Sequence, residues 1–103
     1  MLRLSQFLVL LSIGIFSTSG FADREPMVIT VQGGGKVSSQ PAGIACPDDC
    51  FENYKDKMTI TLTATAEPGS KFSGWSGACA GTDPVCVTKM KKARYITAIF
   101  SNE

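Results

Sequence analysis

Four cysteines, Cys46, Cys50, Cys79 and Cys86, are the most reactive groups in the sequence, which has no His at all. Thiols offer redox exchange, metal binding or structural cross-linking. Redox exchange needs a thiolate stabilised by a helix N-terminus, a cation or a tight Cys-x-x-Cys turn. Here Asp48 and Asp49 sit between Cys46 and Cys50 and oppose it, and the spacing is one residue too long. A four-thiolate zinc site is disfavoured because Cys79 and Cys86 are wide for a metal knuckle. An even cysteine count in a small exported chain reads instead as two disulfides, with three connectivities open. The short separations point to Cys46–Cys50 and Cys79–Cys86. Loop-closure entropy gives such short loops only about 2 to 2.5 kcal/mol each, so these bridges pin loops more than they hold a sheet together.

The missing His removes the commonest general base, the commonest metal ligand and every nucleophile–His pair. Asp48, Asp49, Glu52 and Asp56 invite a calcium reading, since hard cations take several oxygens from a flexible loop. Their spacing matches no calcium loop, and Lys55 and Lys57 lie alongside. A solvated loop is expected, with no metal and no cofactor. A glycosidase pair among these carboxylates would need a dry pocket that so small a domain can hardly build. No catalytic residues are assigned, and the protein is not expected to be an enzyme.

Trp75 is the sole Trp and follows Phe72 by three, so strict alternation would put the two rings on opposite faces of a strand. Either Gly74 forms a bulge that turns both rings inward, or Trp75 is exposed and able to stack on a sugar or anchor a protein. Thr59, Thr61, Thr63 and Thr65 form one row, most simply the solvent side of a strand.

These residues must be carried by short strands. Met27–Val31 is a β-branched run ending at Gly33-Gly34-Gly35, and Lys36–Ser39 can return as the second arm of a hairpin before Pro41. Met58 to Ala66 alternates strictly, with Met58, Ile60, Leu62, Ala64 and Ala66 on one face, which makes a strand with one buried side. Pro68-Gly69-Ser70 turns the chain into a strand at Lys71–Trp75. Val85–Met90 and Arg94–Phe100 read as a final hairpin around Lys91-Lys92, with Ile96, Ala98 and Phe100 inward. Phe51–Lys55 alternates poorly and leaves room for one short helix presenting Phe51 and Tyr54 on one side. The fold class is mostly β, with five or six short strands.

Upstream, Arg3 precedes an apolar run from Phe7 to Phe16, far short of the roughly 20 residues that span a bilayer. Gly20-Phe21-Ala22 then places small residues three and one before a cut ahead of Asp23. Residues 1–22 are therefore expected to be a signal peptide and residues 23–103 a single domain, secreted or periplasmic, with no membrane insertion after cleavage. Lys and Arg number 10 and Asp and Glu 9, and losing Arg3 leaves the exported part neutral, without the basic footprint that nucleic acid requires.

Val37–Cys46, Cys50, Leu62-Thr63-Ala64, Phe72–Cys79 and Ile96–Phe100 together resemble the divergent internalin B-repeat family, over about Met27 to Phe100. The resemblance implies a compact β-grasp-like module of exported bacterial proteins, usually in tandem, with no shared catalytic residues. The expected function is thus an exported, non-catalytic binding or structural module, cell-surface or adhesion related, acting on protein or glycan as a monomer. The alternative is a small secreted inhibitor presenting a disulfide-bounded loop to an enzyme. Either would use Trp75, Thr82, Asp83 and Pro84, because loops on a rigid sheet carry recognition.

Overall fold

The computed structural model describes residues 23–103, so the expected signal peptide lies outside the described residues. Eight strands follow one another: β1 (Arg24–Gln32), β2 (Gly35–Gln40), β3 (Ala45–Cys46), β4 (Phe51–Lys55), β5 (Thr59–Ala66), β6 (Ser70–Gly77), β7 (Val85–Lys89) and β8 (Arg94–Asn102). The strict alternation of β5 becomes its burial pattern, with Ile60, Leu62 and Ala64 buried and Thr59, Thr63 and Thr65 exposed. In β8, Ile96, Ala98 and Phe100 turn inward in the same way.

The strands form two four-stranded sheets, ordered β4-β1-β8-β6 and β3-β2-β5-β7. β1 and β8 pair in parallel, and every other ladder is antiparallel. The inner faces share one core, with Met27, Ile29, Ile96, Ala98, Phe100 and Trp75 from the first sheet and Val37, Ile60, Leu62 and Ala64 from the second. The fold is mostly β and both expected disulfides, Cys46–Cys50 and Cys79–Cys86, are formed. The five or six short strands expected from sequence are eight among the described residues, in two sheets of four.

Every connection except β2 to β3 carries the chain from one sheet to the other. The hairpin expected between Met27–Val31 and Lys36–Ser39 is therefore a corner: β1 pairs with β8 and β4, and β2 with β5 and β3. The hairpin expected at the C-terminus is corrected likewise, because β7 lies on β5 while β8 lies between β1 and β6. Gly33 makes the first corner possible. Its φ is +89°, and a Cβ there would run into the carbonyl of Phe100. The Glu67 amide donates to Gly34 O at 3.1 Å and the Ser70 amide to Glu67 O at 2.9 Å, which ties this corner to the one between β5 and β6.

Phe51–Lys55 is strand β4, not a short helix, because it pairs along Arg24–Val28. Phe51 and Tyr54 consequently point to opposite faces. Tyr54 is buried, its hydroxyl 2.6 Å from Ser39 Oγ, and both hydroxyls reach Pro41 O, at 3.2 and 2.8 Å. Ser39 Oγ also accepts the Ile44 amide at 2.9 Å, so this buried cluster holds the β2–β3 loop against the first sheet. Burial raises the Tyr54 pKa above the usual tyrosine value, and the Glu52 and Asp49 charges add to this against the lowering effect of the Ser39 bond. The unfolded chain then loses its phenolic proton first, so this contribution to stability is present below about pH 10 and is lost as pH rises further. Tyr54→Phe should cost about 1 kcal/mol in urea unfolding at pH 7, and its deficit relative to wild type should shrink above pH 10. A deficit that stays constant to pH 11 would contradict this.

Candidate functional site

The loop from Gly77 to Val85 is built onto Trp75. β6 carries one extra residue against β8 between Phe72 and Gly74, and this bulge turns Phe72 and Trp75 to the same side. Gly74 has φ +151°, and a Cβ there would lie 3.1 Å from Gly81 O, so the loop's close return over the strand depends on this glycine. The rings of Phe72 and Trp75 meet edge to face at 5.1 Å, and Phe72 meets Phe100 at 5.4 Å. Trp75 is only 6% exposed. Its amide donates to Gly81 O at 2.9 Å and its indole Nε1 to Asp83 O at 2.7 Å. The indole therefore holds the loop from beneath, while the Cys79–Cys86 bridge closes it. Thr82, Asp83 and Pro84 are exposed above it. The Asp83 carboxylate accepts the Val85 amide at 2.9 Å.

The acidic segment is organised by its own backbone. Ala45 and Asp49 exchange amide bonds at 2.8 and 2.9 Å around the Cys46–Cys50 bridge, and Asp49 Oδ1 accepts the Phe51 amide at 3.3 Å. Among the described residues no three His, Cys, Asp or Glu side chains converge as metal ligands would, and no pocket is enclosed.

The most distinctive surface was not among the sequence candidates. On the outer face of the first sheet, Val28 stands opposite Phe51 on one side and opposite Tyr95 on the other. Phe51 is 50% and Tyr95 63% exposed, and two interstrand steps separate them by about 10 Å. Beside this row runs a hydroxyl row, Thr30, Thr97 and Ser76, and Asn53 lies exposed next to Phe51 on β4. The charged side chains of this face sit at its ends, Arg24 and Lys55 together at one and Lys71 opposite Ser101 at the other. Tyr95 could have been found, because inward Ile96, Ala98 and Phe100 force their odd neighbour outward. Its meeting with Phe51 could not, since it depends on β1 lying between strands distant in sequence.

Residues 27–103 match the family model described as the divergent InlB B-repeat domain. No curated protein and no solved structure matches the chain.

Proposed function

Because the chain belongs to the divergent InlB B-repeat domain family, whose domains fit a non-catalytic role, we propose that it is an exported recognition module that binds neutral glycan through the outer face of its first sheet. The observation that carries this reading is the Phe51–Val28–Tyr95 row with its adjacent hydroxyls. Exposed rings stack on the C–H faces of sugars, Thr, Ser and Asn side chains bond sugar hydroxyls, and a face without central charge suits an uncharged ligand. Two disulfides in a small domain support action in an oxidising compartment, the periplasm or the cell exterior, after cleavage before Asp23.

The test is retention of the exported protein on immobilised neutral β-glucan. Replacing both rings, Phe51→Ser with Tyr95→Ser, should weaken retention by roughly tenfold or more. Equal retention of wild type and the double variant, or none by wild type, would remove the proposal. The inhibitor reading has its own support in the bridged, indole-anchored loop with Thr82, Asp83 and Pro84 exposed. It expects capture of one hydrolase, abolished by Asp83→Ala and Pro84→Ala but indifferent to the ring substitutions.

A further inference from the structure

We propose that β7 is a self-complementary edge through which two copies of this chain join their second sheets into one continuous sheet. Among the described residues β7 has β5 as its only ladder partner. Ala64 N donates to Pro84 O at 2.8 Å and Met90 N to Met58 O at 2.9 Å, which fixes the phase of that ladder. The main-chain groups of Cys86 and Thr88 face β5, so alternation turns those of Val85, Val87 and Lys89 to the open side.

Of those six groups, two are held within the chain. Val85 N donates to Asp83 Oδ1, and Lys89 O accepts Arg94 Nε at 3.1 Å and Nη2 at 2.9 Å. Val85 O, Val87 N, Val87 O and Lys89 N have no partner among the described residues. An antiparallel second copy with Val87 opposite Val87 satisfies all four. Each Val87 amide donates to the other Val87 carbonyl, and each Lys89 amide to the Val85 carbonyl of the other copy. The two groups already held fall opposite each other, where no further bond is needed. A twofold contact must complement itself in this way.

The side chains agree with the backbone. Val87 is 62% exposed, and the symmetric register sets it against its own copy, while Val85 meets the aliphatic stem of Lys89. Lys89 of each copy then reaches diagonally toward Asp83 of the other, pairing opposite charges at both ends. The remaining edges are guarded: Gly81 bonds β6 at Trp75, β3 has two residues, and β4 carries Glu52 and Lys55. β7 has no charge from Val85 to Thr88. This assigns a dimer in place of the monomer expected from sequence.

Sedimentation equilibrium of the exported protein tests the assignment, with Val87→Lys as the guarded edge and hydrogen exchange as a second readout. Wild type should dimerise with rising concentration, and Val87→Lys should raise the dissociation constant at least tenfold with an unchanged circular dichroism spectrum. The Val87 and Lys89 amides should become more protected as wild type dimerises. Wild type monomeric into the millimolar range would overturn the proposal. So would a Val87→Lys dimer of equal strength, or dimerisation that leaves the Val87 amide unprotected.

Discussion

Leu62→Ala is expected to lower the unfolding free energy by about 2 to 5 kcal/mol, while Thr63→Ala changes it by less than about 1. Leu62 has no exposed surface and stands on the inner face between Ser39 of β2 and Cys86 of β7. Cutting its isobutyl group back to a methyl takes away buried area and leaves a cavity between two sheets that cannot close on it, because both are fixed by their ladders. Thr63, one residue on, lies exposed between Ser38 and Val85, where β-branching matters and burial does not. Chemical denaturation of the two variants measures the contrast directly. Equal losses would mean that β5 presents its faces differently.

Trp75→Ala should cost about 3 to 5 kcal/mol, much of the roughly 4 to 12 expected for a domain of this size. The loss combines the packing of the indole on Phe72 with the bond from Nε1 to Asp83 O, which anchors the Gly77–Val85 loop. The wild-type protein should fluoresce at short wavelength and resist iodide quenching, since its one Trp is buried. A long-wavelength, readily quenched emission would instead mean an exposed ring. Trp75→Phe separates the two contributions, keeping most of the packing and losing the bond, and should cost less than the alanine change while raising hydrogen exchange at Val85.

The inner and outer faces were legible strand by strand, because alternation is a local property. Thr59 to Ala66 and Ile96 to Phe100 alternate in sequence and are buried accordingly. The two disulfides were legible from short separations. Partner choice was not. Gly33-Gly34 and Pro68-Gly69 mark a change of direction in either architecture, and the same residues serve a hairpin within one sheet or a corner between two. What distinguishes them is the pairing of β1 with β4 and β8 and of β2 with β3 and β5, which joins residues far apart in the chain. Phe51–Lys55 misled for a related reason: its outward Phe51 and inward Tyr54 break the apolar pattern, and the strand is fixed by its ladder to β1. The outer face proposed for recognition inherits this difficulty, since Val28 and Tyr95 become neighbours only when the first and last strands pair in parallel, with Phe51 on the other side of Val28.

The proposed recognition by that face is tested most directly by amide chemical shifts of isotope-labelled residues 23–103 titrated with a soluble neutral β-glucan oligosaccharide. Saturable shifts should appear at Val28, Phe51 and Tyr95 and spread to Thr30 and Thr97, leaving Thr82 and Asp83 unmoved. Shifts confined to the Thr82–Val85 loop, or no saturable shift at any concentration, would contradict glycan recognition by the outer face of the first sheet.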